Sequence, residues 1–158
     1  MLIPQETLAE SAVECLTKNI YFEAKNQSVA GQLAVALVVL NRVKHKSFPS
    51  TICKVIYEGP LYESWKTRQI PDLPKELRTY YPRRDRCQFS WYCDGKSDKP
   101  REQSAIQQAH RLAWLVTNGH IFDFTHGATH YHADYVSPKW AKTMKRLFQI
   151  DNHIFYRN

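Results

Sequence analysis

The sequence predicts an α+β fold, predominantly helical, with a small antiparallel sheet. Three observations carry that expectation. Three long segments repeat apolar residues at helical spacing, and short strand-like segments lie beside turn signals in the C-terminal half. The length of 158 residues, 43% of them hydrophobic, lets a domain bury roughly 70% of its unfolded surface. With 5 Gly, 8 Pro, 13% aromatic residues and no repeat, the chain is not collagenous, coiled-coil or disordered. No composition break marks a linker, so residues 1–158 are expected to form a single domain.

The first helix is expected from about Thr7 to Ala24, with Ala9, Ala12, Val13, Leu16 and Ile20 on its apolar side. Glu23 occupies the next position of that stripe, in the last helical turn. Burial and the negative end of the helix dipole both disfavour its ionised form, which suits a general acid. The alternative is a helix that ends a residue earlier, with Glu23 solvated or paired with Arg42. Lys25 to Ser28 forms a turn and cap, and a second helix runs from Val29 to about Lys44. Its middle, Leu33 to Leu40, is apolar all round and is expected at the centre of the core.

Phe48-Pro49-Ser50-Thr51 is a stop followed by a cap, and Ile52 to Tyr57 is a short helix. Glu58 to Arg86 holds Pro60, Pro71, Pro74 and Pro82 and a basic knot at Arg83-Arg84-Asp85-Arg86, and is expected as a long loop with a helical turn over Pro74 to Tyr80. Cys87 to Cys93 alternates as a strand before an Asp94-Gly95 turn. Ser97 to Pro100 caps another helix, which carries Ala105, Ile106, Ala109, Leu112, Ala113 and Val116 and stops at Asn118-Gly119. Ala128 to Val136 is expected as a strand. Ser137-Pro138 opens a short helix bearing Trp140, Met144 and Leu147. His153 to Tyr156 is the last strand, after an Asp151-Asn152 turn.

Charge narrows the partners. With 22 basic and 15 acidic residues the net charge is +7, so an anionic partner is expected: nucleic acid, a lipid or lipopolysaccharide surface, or wall polymers. No helix-turn-helix or zinc-finger pattern supports nucleic acid. The N-terminus has no signal-like apolar stretch, and Leu33 to Leu40 is too short to span a bilayer, so a leaderless product without stable membrane insertion is expected. Cys15, Cys53, Cys87 and Cys93 contain no Cys-x-x-Cys pair. They are read as buried thiols, or as a disulfide formed after exposure to an oxidising compartment.

Other chemistries are weaker. His130 and His132 share a strand face, which Asp134 continues, so a zinc site serving a peptidase or amidase is the alternative function. The further histidine and upstream acid of such sites are not found, and no metal or cofactor is expected. There is no Gly-x-Ser-x-Gly elbow and no phosphate-binding glycine loop. Each cysteine sits in an apolar or aromatic stretch suited to packing rather than to a Cys–His pair.

The blocks Asn19-Ile20-Tyr21-Phe22-Glu23-Ala24, Gly31 to Ala36 and Val39-Leu40-Asn41-Arg42-Val43 stand in a recognisable order. They continue with Phe48-Pro49-x-Thr51-Ile52-Cys53-x-Val55-Ile56-Tyr57 and Cys87-Gln88-Phe89-Ser90-Trp91-x-Cys93-Asp94-Gly95, and end with Ala128 to Ala133 and Asn152 to Tyr156. Together they resemble the SleB-type cell-wall hydrolases, a family of spore-cortex-lytic enzymes that also occurs in phages and Gram-negative bacteria. The resemblance implies a lysozyme-like fold and cleavage of the glycan backbone of peptidoglycan, with Glu23 as the single catalytic acid. Three departures from the spore enzymes are expected: the lack of a leader and of a separate wall-binding domain, a long insertion between Tyr57 and Cys87, and Asp134 at a position taken to vary.

Glycosidases ordinarily use two carboxylates about 5–10 Å apart. No second acid here has a claim comparable to Glu23: Asp94 lies in a turn, and Glu58 and Glu63 lie in the irregular region. A lytic transglycosylase needs only one, and forms 1,6-anhydro ends. Gln88, Ser90, Tyr131 and His132 are then expected to contact the sugar. The resemblance and the expected lack of a leader together suggest a monomeric phage endolysin. It would accumulate in the host cytoplasm and be released to the periplasm, where Cys53 and Cys87 or Cys93 would oxidise. Its positive charge would aid approach to anionic wall and outer-membrane polymers.

Overall fold

The computed structural model describes residues 10–158. Helix α1 (Ala12–Ala24) starts at a capping box: Ser11 Oγ accepts from Glu14 N–H at 3.2 Å, and Ser11 N–H donates to Glu14 Oε2 at 2.8 Å. The expected start at Thr7 lies outside the described residues. Helix α2 (Val29–Lys44) is capped by Ser28, whose Oγ accepts from Gly31 N–H at 3.1 Å. The same serine donates from its backbone N–H and its hydroxyl to Asp151 Oδ2 at 2.9 and 2.7 Å, which ties the start of α2 to a sheet turn. That close approach explains Gly31, where a Cβ would come within 2.6 Å of Asp151 Oδ2.

The all-apolar middle of α2 separates two halves of the core. Ala36, Leu37 and Val39 pack with Leu16 and Ile20 of α1, and with Leu112, Ala113 and Val116 of α5 (Gln103–Thr117). Ala34 and Val38 face the other way, against Ala128 and Phe155 below the sheet. Each fully buried Val or Leu contributes about 1.5–3 kcal/mol, so this helix is the mechanical centre of the molecule. Helix α3 (Ile52–Ile56) follows a Thr51 cap, as its sequence predicts. No described helix is long and apolar enough to cross a membrane.

The sheet has strand order β3-β5-β4 and is antiparallel throughout, with β3 at His130–Ala133, β4 at Lys145–Ile150 and β5 at His153–Arg157. The expected helix over Ser137 to Leu147 is therefore corrected. Only Lys139–Thr143 forms a 3-10 turn, and Leu147 lies in a strand. The signal was the Asp151-Asn152 turn: a two-residue hairpin turn needs a strand on each side, and Asp151 has φ 50°, the left-handed conformation such turns use. Strand β3 is shorter than the expected Ala128–Val136.

The long loop contains its own hairpin, β1 (Leu61–Glu63) with β2 (Tyr80–Pro82), around a helical turn α4 (Trp65–Arg68) and a 3-10 turn at Lys75–Leu77. Arg78 Nη1 donates to Glu63 Oε1 at 2.7 Å, and its other nitrogens bind the carbonyls of Leu73, Ile70 and Pro71, which holds this excursion together.

The expected strand over Cys87–Cys93 is also corrected. An extended run of that length would put its ends about 20 Å apart. Here the two Cα atoms are 6.1 Å apart, joined by a Cys87–Cys93 disulfide, with Ser90–Cys93 coiled as a 3-10 turn. The second disulfide joins Cys15 of α1 to Cys53 of α3. Cys53 thus pairs with Cys15 and with neither Cys87 nor Cys93, and no described cysteine is a free thiol.

Candidate active site

Glu23 lies in the last turn of α1, at a cleft of about 530 Å³ between the helical half and the sheet. The helix continues through Ala24, so Glu23 is not the solvated end residue, and no ion pair joins it to Arg42 among the described residues. Phe22, Ser90, Trp91, Tyr131 and His132 line the same cleft. A smaller recess of about 140 Å³ opens from Glu23 between Arg42, Gln88, Phe89, Ser90 and Tyr131. The other four sequence-predicted site residues, Gln88, Ser90, Tyr131 and His132, therefore line the cavities that open on the Glu23 carboxyl. Gln88 and Ser90 are exposed, because the disulfide-closed turn folds them out over the cleft edge.

The carboxyl is held on one side. Tyr131 O–H, from β3, donates to Glu23 Oε2 at 2.7 Å, and Oε1 has no protein partner among the described residues. Burial pushes the Glu23 pKa up from the ordinary 4.5, against the Tyr131 hydrogen bond and the positive charge of Arg42. The negative end of α1 acts in the same upward direction. Burial and the nearby carboxyl push the Tyr131 phenol far up, so it remains a donor. The result is a carboxyl group whose ionised form is disfavoured, with one oxygen anchored and the other available.

The walls are held by packing and a buried hydrogen bond. Phe22 stacks on Trp91 with ring centroids 4.9 Å apart, and Trp91 Nε1–H donates to the buried Asn19 Oδ1 at 2.9 Å. Asp94, another acid lining the cleft, caps its own turn by accepting from Lys96 N–H at 2.9 Å.

The two strand histidines do not converge. His130 lines a separate cavity with His45 and Phe48, and burial lowers its pKa to about 4. The Trp140 ring packs against both, with centroids 5.1 Å from His130 and 5.6 Å from His132. Both ring nitrogens of His132 are engaged, Nδ1 with the Ala133 carbonyl at 2.7 Å and Nε2 with the Tyr156 hydroxyl at 2.9 Å. Asp134 accepts from Gln149 Nε2 at 3.2 Å. No three His, Cys, Asp or Glu side chains form a metal-binding group among the described residues.

Sequence reasoning treated Arg42 only as an ion-pair partner, and missed Trp91 as a wall. The signal for Arg42 was present: one arginine in the last turns of a helix whose preceding residues are almost all apolar.

The profile of the cell wall hydrolase family matches residues 26–156. The chain belongs to this family. A spore cortex-lytic enzyme of Bacillus cereus is 34% identical over 147 residues, covering 93% of this chain and 44% of that protein. One from Oceanobacillus iheyensis is 36% identical over 147 residues, covering 93% of this chain and 42% of that protein. The chain thus spans less than half the length of these curated relatives. Among solved structures, the catalytic domain of the germination-specific lytic transglycosylase SleB from Bacillus anthracis superposes with a TM-score of 0.65 at 25% identity, covering 98% of this chain and 100% of that one. The catalytic domain of the Bacillus cereus SleB protein gives 0.58 at 25% identity, covering 96% and 94%. The fold is therefore that of the SleB catalytic domain, lysozyme-like as the sequence resemblance implies.

Proposed function

We propose that this cell wall hydrolase is a peptidoglycan lytic transglycosylase with Glu23 as its single catalytic acid and base. The observation that carries the reading is the Glu23 carboxyl itself, its pKa raised, Oε2 held by Tyr131 and Oε1 left for substrate. Family membership and the SleB structures support the substrate class.

Protonated Glu23 donates to the glycosidic oxygen between N-acetylmuramic acid and N-acetylglucosamine, and the C1–O bond breaks. The carboxylate so formed accepts the proton of the muramic C6 hydroxyl as that oxygen bonds to C1. One group moves both protons and the nucleophile is intramolecular, so neither a second carboxylate nor a positioned water is required. Gln88, Ser90 and His132 contact the sugar at the rim, and Tyr131 orients the acid. The zinc peptidase alternative gains no support, because His132 already uses both ring nitrogens and His130 faces another cavity.

Purified peptidoglycan digested with the protein is expected to yield muropeptides lighter by one water than those released by a muramidase. Hydrated muropeptides would replace the transglycosylase with a hydrolase, and free stem peptides would overturn glycan cleavage altogether.

The same reading extends to a phage endolysin released from the host cytoplasm onto the wall, where the two disulfides suit an oxidising compartment and the +7 charge suits anionic polymers. Cells making the protein are expected to lyse only once their inner membrane is permeabilised. Lysis without that treatment would reject the release step.

A further inference from the structure

Arg42 is buried, with 3% of its surface exposed, yet no carboxylate lies within 4.0 Å of it among the described residues. Its position is over-determined. Nε–H donates to the Thr129 carbonyl at 2.7 Å, and the guanidinium carbon lies 5.0 Å from the Phe48 ring and 5.5 Å from the Phe89 ring. Nη1 is buried without a hydrogen-bond partner among the described residues. A buried cation normally requires a paired anion, because its desolvation costs several kcal/mol. Here the facing anion is one that the reaction creates: Arg42 lines the small recess with Glu23 and Tyr131.

Resting on the assignment of Glu23 as the acid, we propose that Arg42 is a positioning residue whose clamped positive charge is arranged in advance for the carboxylate Glu23 becomes on giving up its proton. Before the reaction the assigned acid Glu23 still carries the proton it is to give up, and Arg42 stands without a carboxylate within 4.0 Å among the described residues. Once the proton has passed to the glycosidic oxygen, the new negative charge sits in a site already polarised by Arg42 and by the Tyr131 hydroxyl. No reorganisation is needed at that moment, which is where such fixed charges are most effective. Arg42 contacts no reacting atom and acts through the Glu23 carboxyl.

Other charges bear on the same pair. Tyr131 from β3 and Arg42 from α2 act on Glu23, and Asp94, Lys96, His132 and His153 line the cleft beyond them. Glu58, after α3, and His130, on β3, lie within electrostatic reach of Arg42. Apart from Arg42, none of these groups is changed in the test.

The test compares Arg42→Gln, which keeps a donor for the Thr129 carbonyl and removes the charge, with Arg42→Lys, which keeps the charge. Rates of glycan cleavage are read across pH. The glutamine variant is expected to lose roughly 10- to 100-fold in kcat with KM little changed. The alkaline limb of its profile should move to higher pH, because the Glu23 carboxylate has lost its support. The lysine variant is expected to keep the wild-type limb. A folded glutamine variant with an unmoved limb overturns the proposal, as does a lysine variant whose limb moves as far as that of glutamine. Should the glutamine variant not fold, the lysine variant decides alone: a limb displaced upward by more than about half a pH unit overturns the proposal, and a smaller displacement supports it. Product analysis separates the two readings, since absence of glycan cleavage refutes the assigned reaction, whereas glycan cleavage with an unmoved limb refutes only the role of Arg42.

Discussion

The two ends of α1 each bring a glutamate to a tyrosine hydroxyl, and the outcomes are opposite. Just before the helix begins, Glu10 accepts from the hydroxyl of Tyr57 and pairs with Lys18, both close contacts. Burial pushes the Glu10 carboxyl up, but the Lys18 and Tyr57 hydrogen bonds outweigh it, and its pKa falls below 4.5. In the last turn, Glu23 accepts from Tyr131, has no ion-pair partner within 4.0 Å among the described residues, and is pushed up. A tyrosine hydrogen bond alone therefore does not decide which way the pKa of a carboxyl moves. An added lysine contact turns it downward at one end, and desolvation turns it upward at the other. The Glu10 end is also braced by the Cys15–Cys53 disulfide and serves stability, whereas the Glu23 end keeps one oxygen free.

The largest expected effect falls at the Glu23 end. Glu23→Gln should reduce glycan cleavage by roughly 10²–10⁴-fold or more while the protein stays folded, checked by product release beside circular dichroism. Activity close to that of wild type would remove Glu23 as the acid.

Next comes the brace. The Cys15–Cys53 bridge spans a sequence separation of 38, and its loss by replacing both residues with serine is expected to cost about 4 kcal/mol in urea denaturation. The Cys87–Cys93 bridge spans a separation of 6, and its loss should cost about 2 kcal/mol. Cleavage should suffer more from removing the second bridge, because Gln88 and Ser90 lie within the turn it closes.

The smallest effects test the comparison most directly. Glu10 has a lowered folded pKa, so its contribution is present above its unfolded value of 4.5 and is lost as pH falls through the folded value. Glu10→Gln should therefore be less stable than wild type at neutral pH, by at most about 1 kcal/mol for a pair this exposed, and equal to it in strong acid. Glu23 has a raised folded pKa, so wild type loses stability as pH rises above 4.5. Glu23→Gln should match wild type in acid and gain on it toward alkaline pH. Thermal midpoints measured across pH should thus separate in opposite directions, and parallel curves would break the comparison.

Local pattern made the helical half legible. Val29–Lys44 is expected and observed over the same residues, because an all-apolar run between a serine cap and a basic last turn has few other solutions. Glu23 stood out because a charge interrupts an apolar stripe. Two elements misled for one reason: short segments take their conformation from partners distant in sequence. Cys87 to Cys93 alternates like a strand, but its two end cysteines bond to each other. Lys145 to Leu147 was expected at the end of a helix, and joins the strand Lys145–Ile150 because β5 offers it an edge.

The sequence by itself determined the helical framework, the basic charge and the residue whose placement defies the core pattern, since each rests on neighbours along the chain. Tertiary structure decided which tyrosine holds that carboxyl, that Arg42 lies behind it, and how the cysteines pair. Tyr131 is 108 residues from Glu23, and only packing of α1 and α2 against the sheet brings a hydroxyl and a buried cation to the same carboxyl. Protonation of an acid depends on that surrounding field, which no local pattern encodes.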